Sequence, residues 1–273
     1  MSVTLLETRK KNKMKYGWKP DVPDHRDHVY SAPLAHLQAL PDHVDLRPQF
    51  SFQPFDQKSI GSCTSQAIVA AFQFANEKEG HPHVDLSRMF VYYQERVLEH
   101  SIGSDSGAQI RDGIKSVVKF GIPPESEWPY DGSAADENTG LFPPGAHATQ
   151  RPPPTTYQHA LKHRAVSYSR VPQSLRQLQA CLAAGFPIVF GFSVYSSLYD
   201  ANGDPRSNVP MPRATDELLG GHATLICGFV GRQFIVRNSW GPDAQDNGHF
   251  YLPYEYVLDP NLADDFWVLH TVT

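Results

Sequence analysis

The prediction of the fold rests mainly on the stretch DQKSIGSCTSQAIVAAFQFANEKEG, residues 56–80. Cys63 follows two small residues and opens an apolar helical pattern, which Ser62 can cap and Gly80 can end. Because a helix N-terminus carries partial positive charge and free N–H groups, a cysteine there favours the thiolate. The alternative is a small apolar residue packed under a helix end, as many free cysteines are. The stretch therefore predicts a helix with a candidate nucleophile at its start.

Two segments far downstream supply partners for such a nucleophile. In GGHATLICGFV, residues 220–230, His222 opens an apolar strand and can transfer protons near neutral pH. In RNSWG, residues 237–241, Asn238 can fix the tautomer of an imidazole and Trp240 can cover that hydrogen bond. Taken alone, the first segment favours a hydrogen-bonded histidine at a sheet end, and the alternative for the second is a turn. The order Cys, His, Asn indicates nucleophilic catalysis.

Around these segments the pattern changes from helical to extended. The first half carries apolar residues at helical spacing, and most of the second half alternates or runs apolar as strands do. This predicts an α+β fold with a cleft between a helical half and a β half. The predicted helices cover 62–79, 86–99, 109–120 and 174–184, and the predicted strands cover 188–194, 222–230, 232–237, 248–253 and 266–272.

Composition excludes several classes of protein. The chain has 273 residues, 40% of them hydrophobic, and a net charge of −5, which predicts a substantial core and offers no basic surface for nucleic acid. The most apolar stretch, 181–194, is broken by glycine and proline and is too short to cross a membrane. Three cysteines are too few for a disulfide framework, and no HExxH or CxxC spacing suggests a metal, so we expect no metal and no cofactor.

In combination, these motifs resemble the papain-like cysteine peptidases, including a short bacterial branch of that family. The resemblance covers residues 40–273 and begins with LPDHVDLR, residues 40–47, which is similar to the mature N-terminus of the family. It implies a two-lobed fold with a mostly helical N-terminal lobe, residues 41–150, and an antiparallel, β-barrel-like C-terminal lobe, residues 151–273. The active-site cleft would lie between the lobes.

The resemblance also implies catalytic roles. Cys63 would be the nucleophile, His222 the general base and acid, and Asn238 the residue that orients His222. Gln57 stands six residues before Cys63, as the oxyanion-hole glutamine of the family does.

Substrate-binding roles follow from neighbouring motifs. DSGAQIRDGIKSVVKFGI, residues 105–122, resembles the stretch with a substrate-binding glycine, which would be Gly107. Ala223 falls where a wall of the main specificity pocket is expected, and Trp240 would lie beside the histidine. Gly61 would let a substrate backbone approach.

The sequence departs from the family pattern at three positions. Ile60 replaces the usual second cysteine, Thr64 replaces an aromatic residue after the nucleophile, and Ala244 replaces a second tryptophan. The last change predicts altered subsites for the leaving part of the substrate. We expect a monomeric endopeptidase acting on polypeptides. The alternatives are a catalytically silent peptide-binding protein and another Cys–His acyl enzyme.

Residues 1–40 precede the part that resembles the family. A basic run at 9–15 is followed by the turn-rich stretch GWKPDVPDHRD, residues 17–27. Our hypothesis is that this stretch crosses the cleft as a built-in inhibitor; the alternative is a disordered tail. Apolar residues precede the basic run, the reverse of a secretory signal, and because a signal could have been removed, the localisation stays open.

Overall fold

The computed structural model describes residues 14–272 and all of their side chains except those of Val166, Thr271 and Val272. Most of the predicted basic run lies outside the described residues. The helices are α1 Leu34–Gln38, α2 Cys63–Lys78, α3 Arg88–Leu98, α4 Ile110–Phe120, α5 Pro154–Ala160, α6 Leu175–Ala183 and α7 Tyr254–Leu258. The strands are β1 Trp18–Lys19, β2 Val44–Asp45, β3 Ala108–Gln109, β4 Ala165–Arg170, β5 Ile188–Tyr195, β6 Leu218–Val230, β7 Gln233–Arg237, β8 His249–Pro253 and β9 Ala263–Val272.

Helix α2 runs through the centre of the molecule. Every residue from Cys63 to Asn76 is buried, so the helix lacks the single apolar face that its sequence suggests. Four alanines make this possible, because small side chains let other elements pack closely on several sides. Ser62 stands at the N-cap, but its hydroxyl bonds the hydroxyl of Tyr130, 2.6 Å away, and caps nothing. The position of Cys63 is therefore fixed by the deep burial of its helix.

The helical lobe is completed by α3 and α4, which pack against each other and against α2. Ser87 caps α3 by accepting a hydrogen bond from the amide of Phe90 at 3.0 Å. Gly121 ends α4 with a φ of +74°, a conformation that favours glycine. Each end of α3 and α4 lies within two residues of its predicted position.

The β lobe is built on one seven-stranded sheet. Its order is β4-β9-β5-β6-β7-β8, with β2 also paired to β6, and all of these pairs are antiparallel. Among the described residues the path ends at β4 and β8 and does not close, so the description as barrel-like is corrected to an open sheet. Phenylalanines fill its core, and the α+β fold is confirmed. Strand β4 was not among the predicted strands.

Two chain crossings join the lobes at the cleft. The backbone amide of Gln57 donates to the carbonyl of Ser239 at 2.8 Å, which joins the segment before α2 to the end of β7. Strand β2 comes from the first half of the chain and joins the sheet through Val44 and Phe229. The first half of the chain therefore contributes one strand to this sheet, and the division into lobes at 41–150 and 151–273 stays a prediction.

The N-terminal segment follows the protein surface in two parts. Residues 14–21 lie along the cleft, where β1 pairs in parallel with β3 through Trp18 and Ala108. Farther along, Tyr30 is only 8% exposed and belongs to the core of the β lobe.

Candidate active site

Cys63 lies at the first turn of α2 with its side chain fully buried. Its sulfur accepts a hydrogen bond from the amide of Ala223 at 3.4 Å. Burial raises the pKa of the Cys63 thiol to about 12, although backbone hydrogen bonds from Ala223 and Gly17 oppose the shift. The thiol is therefore neutral in this structure. The expectation of a thiolate fails here because loss of water outweighs the partial charge of the helix end.

His222 lies on β6 directly before Ala223 and is also fully buried. Its Nε2 is 2.9 Å from Oδ1 of Asn238. That oxygen also accepts from the amide of Ser239, while Nδ2 of Asn238 donates to Gln245. The amide orientation is thus assigned from its bonds, which makes Nε2 of His222 the donor and leaves Nδ1 as the lone-pair nitrogen.

The Nδ1 atom of His222 has no hydrogen-bond partner among the described residues. Burial lowers the pKa of His222 to about 4, and the bond to Asn238 opposes this shift. Trp240 stacks on the imidazole with ring centroids 5.1 Å apart and an interplanar angle of 24°. The result is a neutral, oriented imidazole whose Nδ1 is available to accept a proton.

Gln57 is held on both sides of its amide group. Its Oε1 accepts from the hydroxyl of Ser239 at 2.7 Å, and its Nε2 donates to the carbonyls of Ile60 and Lys15 at 2.9 and 3.0 Å. Ser239 was missed by the sequence reasoning. It stands inside the RNSWG motif, but nothing in the sequence indicates contact with a residue 182 positions away.

The two predicted substrate-binding glycines both face the N-terminal segment. Gly107 has a φ of +65°, and a Cβ added there would lie 2.0 Å from the carbonyl oxygen of Gly17. That oxygen accepts from the amide of Ala108 at 2.7 Å. A Cβ on Gly17 would in turn lie 1.7 Å from the carbonyl oxygen of Gly61. Three glycines therefore allow backbones to approach each other in the cleft.

A pocket lies beside the predicted wall residue Ala223. Gly191 on β5 is paired with Ala223 on β6, and a Cβ added to Gly191 would meet the indole of Trp18 at 2.0 Å. The indole Nε1 donates to Oδ2 of Asp265 at 3.0 Å. No motif marks Asp265, so the sequence reasoning missed this carboxylate. The pocket thus combines a glycine wall with one acidic group, and Trp18 fills it.

The segment also covers the histidine. Tyr16 packs its ring edge-on to His222 with centroids 6.0 Å apart, and its hydroxyl bonds that of Tyr199. Contacts from Lys15 to Trp18 therefore reach Gln57, His222 and both predicted glycines. The sequence reasoning identified the segment but not the residue of the segment that meets each group.

Within residues 14–272, no group of three or more His, Cys, Asp or Glu side chains is arranged to hold a metal ion. Within the same range, no helix is long and apolar enough to cross a membrane.

Comparison with known proteins defines the class. The family model described as papain family cysteine protease matches residues 40–259. The chain belongs to this family. It is a papain-like cysteine peptidase, and its substrates are polypeptides.

Individual relatives agree with this assignment. Xylellain, a cysteine protease from Xylella fastidiosa, has a crystal structure that is 46% identical, with a TM-score of 0.91, covering 96% of this chain and 97% of that one. An uncharacterised peptidase C1-like protein of Acanthamoeba polyphaga mimivirus is 34% identical over 284 residues, covering 94% of this chain and 87% of that protein. Procathepsin B of Trypanosoma congolense is 14% identical, with a TM-score of 0.72, covering 96% and 87% of the two chains, and this likeness concerns the fold alone.

Proposed function

We propose that Cys63, His222, Asn238 and Gln57 form the catalytic machinery of an endopeptidase that its own N-terminal segment holds inactive. The observation that carries this proposal is the hydrogen bond from Nε2 of Gln57 to the carbonyl oxygen of Lys15, 3.0 Å long. A carbonyl of the segment thus occupies the side-chain donor that would receive the oxyanion of a substrate.

The proposed reaction is acyl transfer through a thioester. The Cys63 proton passes to Nδ1 of His222, and the sulfur attacks the carbonyl carbon of the scissile peptide bond. The oxygen of that carbonyl becomes the oxyanion, which Nε2 of Gln57 and the backbone amide of Cys63 stabilise by hydrogen bonds. The C–N bond then breaks, and the leaving amine takes the proton from His222. Water, deprotonated by His222, attacks the thioester to release the acid and restore the thiol.

The geometry around His222 supports its proposed role. Asn238 fixes the Nε2–H tautomer, so Nδ1 is the free base, and the stacked ring of Trp240 keeps water from the bond between them. Ser239 holds Gln57 through its hydroxyl at 2.7 Å, so the proposed oxyanion donor is oriented before substrate arrives. Both groups are therefore positioned without help from substrate.

The segment also contacts the proposed nucleophile directly. The backbone amide of Gly17 donates a hydrogen bond to the Cys63 sulfur. Burial under the segment also keeps Cys63 and His222 neutral. We infer that the segment inhibits both by occupying the cleft and by removing water from the catalytic pair.

The path of the segment also supports endopeptidase action. Lys15 and Tyr16 lie on one side of Cys63, and Trp18 and Lys19 continue on the other, where Lys19 pairs with Glu99 at 2.7 Å. A chain can therefore enter and leave the cleft at both ends. An exopeptidase needs one end closed around a chain terminus.

The test uses full-length chains and an epoxysuccinyl peptide, with intact mass as the readout. Trp18→Ala removes the indole that fills the pocket, and we expect it to form a single adduct at least tenfold faster than the wild-type chain. The control is Trp18→Ala with Cys63→Ala, which should form none. A folded Trp18→Ala chain without adduct would favour the silent peptide-binding protein. Equal rates in Trp18→Ala and wild type would refute inhibition by the segment.

A further inference from the structure

The N-terminal extension is divided by an exposed turn. We propose that this turn, Val22 to Arg26, is the processing site of the peptidase, cut after Arg26 by an arginine-directed endopeptidase, so that residues 27–40 stay in the mature protein. This inference rests on the proposed inhibition by residues 14–21. It places the start of the mature chain well before residue 40, where the match to the family begins.

The part after the turn belongs to the body of the protein. Tyr30 and Ala32 are 8% and 5% exposed and lie in the core of the β lobe. The amide of Tyr30 donates to the carbonyl of Arg170 at 2.8 Å, and the amide of Arg170 donates to His28 at 2.7 Å. Farther on, Arg176 on α6 donates to the carbonyl of Leu37 at 2.6 Å. Removal of these residues would expose core side chains and unpair backbone groups at β4.

The part before the turn belongs to the cleft. Its last anchors are the carboxylate of Asp21, which accepts from the amide of Arg111 and the indole of Trp267 at 3.1 and 2.9 Å, and the carbonyl of Val22, which accepts from the guanidinium of Arg111. After the turn, Asp27 accepts from the guanidinium of the same Arg111 at 3.1 Å. Both anchors thus converge on α4, and the chain between them loops out into solvent.

The turn offers a protease an accessible bond. The side chain of Arg26 is 76% exposed, and Val22 is 66% exposed. The main-chain amides of Arg26 and Asp27 bond only locally, to Asp24. The guanidinium of Arg26 also pairs with the carboxylate of Asp24 at 2.7 Å, so opening the turn breaks bonds within the turn and the single bond from Arg111 to the carbonyl of Val22. Local opening of this kind is what limited proteolysis requires.

Hydrolysis of the Arg26–Asp27 bond would convert inhibition from intramolecular to intermolecular. Water adds across the bond, leaving a carboxylate on Arg26 and an α-amino group on Asp27. Before the cut, the tether keeps the segment at an effective concentration of about millimolar. After the cut, the fragment ending at Arg26 dissociates on dilution, and the cleft opens while the body keeps Tyr30.

Other basic residues of the segment do not offer the same result. Lys19 precedes Pro20, and trypsin-type enzymes do not cut before proline. A cut after Lys15 would leave Tyr16 to Asp21 tethered in the cleft. Only the bond after Arg26 separates the part in the cleft from the part in the core.

The experiment is limited digestion of the full chain with trypsin at low ratio, followed over time by intact mass and by epoxysuccinyl labelling of Cys63. In the wild-type chain, a product beginning at Asp27 should appear first, and its labelling should be at least tenfold faster. Arg26→Gln should delay both by at least tenfold. Arg232→Gln is the matched control, because Arg232 is 80% exposed on the β6–β7 turn, and it should behave as wild type.

Three results would overturn the inference. One is activation that coincides with a cut beyond residue 40, and another is activation of Arg26→Gln as fast as wild type. The third is a product beginning at Asp27 that stays unreactive while uncut Gly17→Ala is reactive. If that product and Gly17→Ala are both unreactive with their folds intact, the proposed inhibition has failed instead.

Discussion

Gly17→Ala should release the N-terminal segment from the cleft without removing any residue. The added Cβ would lie 1.7 Å from the carbonyl oxygen of Gly61, whereas such contacts do not fall below 3.0 Å, so the backbones must separate by about 1.3 Å. Neither backbone has a flexible side chain that could yield in its place. The nearby hydrogen bonds of the segment, to Gln57 at 3.0 Å and to Ala108 at 2.7 Å, then exceed hydrogen-bonding distance.

The magnitude of the effect follows from those two hydrogen bonds. Each contributes about 0.5–1.5 kcal/mol, so their loss weakens the binding of the segment to the cleft by about 1–3 kcal/mol. The population of chains with an open cleft then rises about 5- to 150-fold. The assay is the second-order rate of Cys63 alkylation by an epoxysuccinyl peptide, with hydrolysis of a quenched peptide in parallel. Gly103→Ala is the control, because its added Cβ meets nothing within 4 Å. Equal rates in both variants and wild type, with unchanged melting, would refute the reasoning.

Three further outcomes can be measured. Because burial raises the pKa of the Cys63 thiol to about 12, its thiolate absorbance near 240 nm should appear at lower pH in Gly17→Ala than in wild type, and coincident titrations would contradict this. Tyr30→Ala should lower the free energy of unfolding in urea by about 3 kcal/mol. Val29 is 68% exposed, so Val29→Ala should change that free energy by less than about 0.5 kcal/mol. In the Gly17→Ala background, Ser239→Ala leaves Oε1 of Gln57 without its hydroxyl donor, which should reduce kcat about tenfold with little change in KM; an unchanged kcat would remove Ser239 from its positioning role.

The sequence alone was sufficient to predict the fold class, the family and the main helices. Apolar periodicity is a local property, so α2, α4 and β6 could be located from neighbouring residues only. Cys63, His222 and Asn238 each stand in a short motif, whereas the resemblance to the family supplied the place of Gln57 and the role proposed for each residue. Strand β4 was not predicted from the sequence.

Other features depend on the path of the chain in space. Ser239 meets Gln57, and Trp18 meets Asp265 across 247 positions, and no local pattern encodes either contact. The raised pKa of the Cys63 thiol likewise follows from burial in the folded chain, which outweighs the effect of the helix end that its sequence shows.

In the N-terminal extension, too, some features could be predicted from the sequence and others depend on the tertiary structure. Its composition indicated a segment distinct from the body and able to cross the cleft. Only the tertiary structure separates it at Val22–Arg26, because Tyr30 is buried against the β lobe whereas Trp18 fills a pocket of the cleft. Sequence determines which segments can form helices, strands and turns through short-range sterics and periodicity. Packing decides which of them lose contact with water, and burial sets the pKa values of Cys63 and His222 and distinguishes the part of the extension in the core from the part in the cleft.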